Sequence, residues 1–239
     1  MSTLTLTKHA HALVTLERDG AKAVVDPGNF ASDAELDEAF AGATLLLITH
    51  VHPDHVDVSR VVERLAARPG LPVLAPQPVL DALEEAGADP AAFTEATGEG
   101  RRELGGFGIR EHGGQHALIH LLIPLERNVG YLIDGAVFHP GDALSIPPFA
   151  QEARIPVLLA PTFTPWARLQ EVMDFIAAVN AERALPIHDG PLTGPGSEFA
   201  TGVVDKVASR YATRLEHWVP GDTRTVESGR GQRSSNSPA

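Results

Sequence analysis

The chain has 239 residues, 43% of them hydrophobic, enough for one well-buried core in a single large domain or two small halves. It contains no Cys, which excludes disulfides and thiolate metal sites and leaves His, Asp and Glu as candidate ligands. The net charge of -12, from 31 acidic and 19 basic residues without a Lys/Arg stripe, argues against a nucleic-acid partner.

In chain order, Thr3–Thr7 and Ala12–Leu16 alternate polar and apolar residues and predict a hairpin. The N-terminus lacks a basic region followed by an apolar run, and no apolar stretch approaches the ~20 residues of a membrane span. The expectation is therefore a cytoplasmic protein with no membrane partner. Ala21–Val25 is a further strand, closed by the turn signal Asp26-Pro27-Gly28. Ser32 can cap a helix over Asp33–Phe40, with Glu35 at the capping-box position. Ala43–Thr49 is a continuous apolar run of the kind buried on both faces of a sheet. Asp57 can cap a helix over Val58–Arg68; a strand at Leu71–Ala75 and a helix at Gln77–Ala86 follow.

The middle turns to short strands separated by Gly or Pro: Glu103–Glu111, Ala117–Leu122, Val129–Ile133 and Ala136–His139. The last third alternates again, with strand Val157–Leu159, helix Trp166–Asn180, strand Ala184–Ile187, helix Glu198–Tyr211 and strand Arg214–Trp218. The order suggests two similar halves, each a sheet covered by helices. Residues 1–222 read as one domain, and the polar, Gly/Ser-rich stretch 223–239 as a disordered tail.

Chemistry concentrates in His50-Val51-His52-Pro53-Asp54-His55, directly after a buried strand. His50 and His52, two apart, point the same way in an extended loop, while Asp54 and His55 fall on a tighter turn and can face a second centre. Three His and one Asp at these offsets are improbable as a plain surface loop in a chain with 11 His. Further candidates sit at strand ends: His116 after Gly113-Gly114, Asp142 in Pro140-Gly141-Asp142, and His188 after Pro186-Ile187.

Thr49-His50-Val51-His52-Pro53-Asp54-His55, with Asp26-Pro27-Gly28, Gly141-Asp142 and His188 in the same order, resembles the metallo-β-lactamase superfamily signature. The resemblance spans roughly residues 4 to 220 and looks closest to the L-ascorbate-6-phosphate lactonase-like branch. It implies an α/β fold, a four-layer αββα sandwich. It also implies one ion on His50, His52 and His116, another on Asp54, His55 and His188, and Asp142 bridging them. The implied cofactors are two divalent ions, Zn first, with Mn or Fe as alternatives. The implied activity is hydrolysis of a small ester, lactone or phosphodiester by a metal-bridging hydroxide, with Asp142 and Asp54 as catalytic residues and Asp54 shuttling the proton. A non-catalytic metal- or ligand-binding protein on the same fold is the alternative.

Around this set, His112, His116 and His120 compete for one ligand position; His116 is preferred because it opens a strand after a Gly-rich turn. His120, on the same strand face, is a pocket candidate. His139 can line the pocket or be a buried strand residue. Asp26 can hold a ligand His or simply make an Asx turn with Pro27-Gly28. The family places a His near the site at a position similar to His11, which gives it a supporting role. Trp166, at the predicted start of a helix, can rim the pocket or pack in the core. The substrate is a small molecule; a homo-oligomer is compatible with the sequence, which does not decide it.

Overall fold

The computed structural model describes residues 2–228. Among them, strands β1 to β6 span Thr3–Lys8, Val14–Arg18, Ala21–Val25, Leu45–Leu47, Val73–Ala75 and Phe93–Glu95. Strands β7 to β10 span Arg101–Leu104, Phe107–Gly113, Val129–Ile133 and Val137–His139. Strands β11 to β14 span Val157–Pro161, Arg183–Ile187, Arg214–Leu215 and Thr223–Glu227. Helices α1 to α6 span Asp33–Phe40, Val58–Ala66, Gln77–Glu85, Phe149–Glu152, Leu169–Val179 and Gly194–Ala208.

The strands form two seven-stranded mixed sheets, ordered β14-β1-β2-β3-β4-β5-β6 and β13-β12-β11-β10-β9-β8-β7. One apolar layer lies between them, contributed by both sheets: Leu6, Leu16, Val25 and Leu47 from the first meet Tyr131, Ile133, Leu159 and Leu185 from the second. A second layer packs α1, α2 and α3 on the first sheet, around Leu36, Phe40, Val61 and Leu83. A third packs α4, α5 and α6 on the other, around Phe149, Val172, Ile176 and Val204. The result is the expected four-layer αββα sandwich. The two-halves reading also holds, except that β14 returns across the molecule to the first sheet.

Local signals act where the sequence placed them. Ser32 and Glu35 form a reciprocal capping box at the start of α1. The Asp57 side chain accepts from the Arg60 N–H at the start of α2. The predicted strand 103–111 is instead the hairpin β7–β8, because Gly105 and Gly106 both take positive φ (57° and 92°) and turn the chain.

Two expectations are corrected. Residues 117–122 are not a strand. The ladder of β8 and β9 runs out at Gly113↔Val129, so the segment between is the loop of that hairpin and has no edge to pair with. The apolar run misleads because it is exposed: Leu121 and Leu122 are 86% and 87% accessible. Thr223–Glu227 is not disordered tail but strand β14, paired antiparallel with β1 from Thr3↔Glu227 to Thr7↔Thr223. Its polar alternation is that of a sheet-edge strand which turns Val226 toward the inter-sheet core. The remainder of the proposed tail, 229–239, lies outside the described residues. Among the described residues, no helix is long and apolar enough to cross a membrane.

Ending the chain at Asp222 removes the β1–β14 ladder and the burial of Val226. We expect it to lower unfolding stability by roughly 2–4 kcal/mol, read as a lower urea midpoint; an unchanged midpoint contradicts the role given to β14.

Candidate metal centre

The parallel strands β3, β4, β11 and β12, together with β10, end on one side of the sandwich, and the chemistry-bearing residues follow those ends. Asp26 follows β3, the loop of His50–His55 follows β4, Asp142 follows β10, and His188 follows β12. Three residues here, His11, Asp26 and His188, have positive φ (60°, 50° and 61°), a backbone state that costs free energy in non-glycine residues and persists only where surrounding contacts over-determine it. Gly28 has to be glycine for a different reason: a Cβ there collides with the Asp54 carbonyl.

The side chains gather into two groups whose donor atoms lie within 4.8 Å of one another: His50, His52, His116 and Asp142, and His11, Asp54, His55 and His188. Asp142 stands between them. Its Oδ1 is 3.2 Å from His55 Nε2, and its Oδ2 is 3.1 Å from His188 Nε2, 3.3 Å from His116 Nε2 and 3.9 Å from His50 Nε2. All seven residues expected as ligands are therefore brought together.

The imidazoles are sorted by their outer nitrogens. His55 Nδ1 donates to Asp26 Oδ2 (2.7 Å), His116 Nδ1 to the Ala117 carbonyl (2.5 Å) and His188 Nδ1 to the Phe163 carbonyl (2.6 Å). Thr49 Oγ1 donates to Asp26 Oδ2 (2.7 Å), so it accepts from His50 Nδ1 (3.0 Å). With each Nδ1 hydrogen-bonded outward, the Nε2 atoms of His50, His55, His116 and His188 face inward. All four Nε2 atoms, and Asp142 Oδ1, are buried without a hydrogen-bond partner. Buried polar atoms are rarely left unpaired, and a cluster of five converging ones fits a bound cation.

His11 and His139 are wired the other way. His11 Nδ1 accepts from the Gly190 N–H (3.0 Å), which puts its proton on Nε2, aimed at Asp54 Oδ2 (3.2 Å). Although His11 groups with the second set, it is a donor to Asp54 rather than a lone pair for a metal. Its ring stacks on Phe30, centroids 4.6 Å apart. His139 Nδ1 accepts from the Gly141 N–H (3.1 Å), and its Nε2 lies 3.3 Å from the Ala12 carbonyl and 3.7 Å from Asp26. It is fully buried behind Asp26 and does not line the pocket. Asp26, besides its two side-chain bonds, accepts from the Thr49 N–H (2.8 Å), so it ties the His-bearing loop to β3 instead of making a lone turn.

Two of the competing His residues fall away from the cluster. His112 is bonded to Ser145 Oγ (3.1 Å) at the end of β8. His120 is exposed in the β8–β9 loop, where its Nδ1 accepts from the Leu122 N–H; without the strand expected there, it does not share a face with His116. Sequence reasoning missed Phe30 and Asn128, and quoted Thr49 in the signature without giving it a role. Asn128 Oδ1 accepts from the Asp142 N–H (2.9 Å) and its Nδ2 donates to the Pro140 carbonyl (2.8 Å), so it shapes the turn that presents Asp142. No local motif marks Phe30 or Asn128.

Burial opposes charge throughout, and the partners decide which residues stay neutral. Burial holds the His50 imidazole well below the usual range, and lowers His11, His52 and His139 as well. At His188 burial is outweighed by Asp142, and the pKa is pushed up to about 9; His55 is raised in the same way by Asp142 and Asp26. At Asp142 burial is outweighed by His55 and His188, and at Asp54 by His11 and His188, so both carboxylates are held well below their ordinary range.

A family model described as the Beta-lactamase superfamily domain matches residues 5–188. Protein Rv0786c of Mycobacterium tuberculosis is 33% identical over 188 residues, 77% of this chain and 82% of that one. A UPF0173 metal-dependent hydrolase of Xanthobacter autotrophicus is 34% identical over 109 residues, 44% of each chain. Among solved structures, Igni18, described as a novel metallo hydrolase from Ignicoccus hospitalis, superposes with a TM-score of 0.69 at 22% identity, covering 94% of this chain and 99% of its own.

Asp26→Asn retains one acceptor but loses the carboxylate that holds His55 and Thr49 together. It is expected to weaken metal binding by about tenfold or more in calorimetric titration, with folding intact; unchanged affinity contradicts the role of Asp26. Metal uptake is also expected to release protons. Asp142 pushes the His188 imidazole up to about 9 and raises His55 as well, so a cation taking either Nε2 displaces a proton at neutral pH. Apparent affinity then rises with pH, by roughly tenfold per unit for each proton displaced. Titration in buffers of different ionisation enthalpy counts the protons; finding none released contradicts this account.

Proposed function

Since the chain belongs to the β-lactamase superfamily domain family, we propose that it is a metal-dependent hydrolase with a dinuclear centre, acting on a small ester, lactone or phosphodiester. The observation that carries the reading is the set of four inward-facing Nε2 atoms and Asp142 Oδ1, all buried and unpaired. In this reading His50, His52 and His116 hold one ion, Asp54, His55 and His188 hold the other, and Asp142 serves both. The donors are nitrogen and oxygen throughout, which suits Zn, Mn or Fe. Divalent ions at these positions act as Lewis acids toward water and toward a carbonyl or phosphoryl oxygen.

The protein's own part is positional. Asp54 has the most exposed carboxylate of the cluster, 28% accessible against 2% for Asp142, so it can exchange a proton with water or substrate. The His11 Nε2–H keeps Asp54 Oδ2 turned toward His188, from which it is 3.4 Å. Beside His11, a cleft of about 300 Å³ lined by Phe30, Gly190, Leu192, Thr193 and Val219 offers room for the rest of a small substrate. The match to a relative named as a metal-dependent hydrolase supports hydrolysis, and the resemblance read from the loop signature is the ground for a lactone, another small ester or a phosphodiester as substrate.

The test is elemental analysis of protein reconstituted with Zn, Mn or Fe, followed by turnover of generic esters, lactones and phosphodiesters. The expected result is about two ions per chain and hydrolysis of one class, with Asp142→Ala folded but inactive. Two bound ions with no turnover favour the non-catalytic alternative. One ion or none overturns the dinuclear centre, and near-normal turnover by Asp142→Ala overturns the role of the shared carboxylate.

A further inference from the structure

Asp142 is held at its backbone by Asn128, but backbone anchoring leaves the carboxylate free to rotate about its last side-chain bond. A carboxylate shared between two sites has to divide its oxygens in a fixed way. The structure supplies a single-sided restraint. The indole Nε1–H of Trp166 donates to Asp142 Oδ2 at 2.9 Å, while Oδ1 has no hydrogen-bond partner.

Trp166 lies in the loop between β11 and α5, three residues before the helix starts at Leu169. It is half-buried, with its ring edge-on to His116 (centroids 5.4 Å) and to His188 (6.2 Å), one residue from each donor group. The predicted helix 166–180 placed this residue on a helical face. Released from the helix, its indole reaches across to the strand end that carries Asp142.

We propose that Trp166 is a positioning residue whose indole N–H sets the rotation of the Asp142 carboxylate, turning Oδ2 toward His116 and His188, one from each donor group, and leaving both lone pairs of Oδ1 to His55. This rests on the reading of the cluster as a metal centre. One lone pair of Oδ2 is committed to the indole, so the two oxygens are unequal donors. Loss of the N–H lets the carboxylate turn and uncouples it from one of the sites.

The test needs no substrate. Metal-stripped wild type, Trp166→Phe and Trp166→Ala are titrated with Zn²⁺ by calorimetry, with thermal unfolding as a check on folding. The Phe variant keeps the ring beside His116 and His188 and removes only the donor. We expect wild type to take two ions, and Trp166→Phe to weaken one of the two steps by about tenfold, with the Ala variant within about twofold of Phe. The chain has two Trp residues, and Trp218 is buried with its N–H on the Asp222 carbonyl (3.1 Å). Zinc is therefore expected to change the tryptophan emission of wild type and to leave that of Trp166→Phe unchanged. Zinc binding by Trp166→Phe equal to wild type in both steps overturns the proposal. So does a normal Phe variant beside a weakened Ala variant, since that pattern means the ring acts by packing. A wild type that binds no zinc overturns the metal-centre reading itself, and this inference with it.

Discussion

A fully buried carboxylate, Asp26, is the constraint on which the rest of the site depends. An ionised carboxylate away from water is costly unless its lone pairs are met, and here they are: by the Thr49 N–H, the Thr49 hydroxyl and His55 Nδ1, with His139 close behind. Those bonds join the end of β3 to the end of β4. They lock Thr49, two residues beyond the buried strand, and through it they reach His50. The loop that offers four candidate ligands is therefore held from behind, by groups that never face the metal positions.

The same logic separates the histidines. An imidazole offers a lone pair on one nitrogen only if the proton resides on the other. His55, His116 and His188 give their Nδ1 protons to carbonyls or to Asp26, and His50 gives its proton to a hydroxyl that is itself committed to Asp26. His11 and His139 receive backbone N–H bonds at Nδ1 and so present a proton instead. Residues of one type, within a few ångströms of each other, are divided into ligands-in-waiting and hydrogen-bond donors by the groups behind them.

The fold makes this affordable. Both sheets present the ends of β3, β4, β10, β11 and β12 on one side, so loops from distant parts of the chain converge there. The apolar layer between the sheets is continuous, and rigid strands set the positions from which the donors project.

Much of this was legible in the chain itself. Apolar runs flanked by capping residues placed α1 and α2 and the strands that feed the site, and the spacing His50-x-His52-x-Asp54-His55 identified the loop. Asp142 and His188 were recognisable because each ends a strand. What the sequence could not decide were relations across the fold. Whether residues 117–122 form a strand depended on how far β8 and β9 pair, and the answer moved His120 away from His116. Polar alternation in 223–227 looked like tail because its partner, β1, is more than two hundred residues earlier. The proton positions on His11 and His139 depend on Gly190 and Gly141, and the contact of Trp166 with Asp142 depends on where α5 begins; neither leaves a local pattern. Periodicity and capping are properties of neighbouring residues, so the sequence determined elements and strand-end donors. Partner choice between distant residues is set by packing, so only the tertiary structure decided which donors face inward and what holds them there.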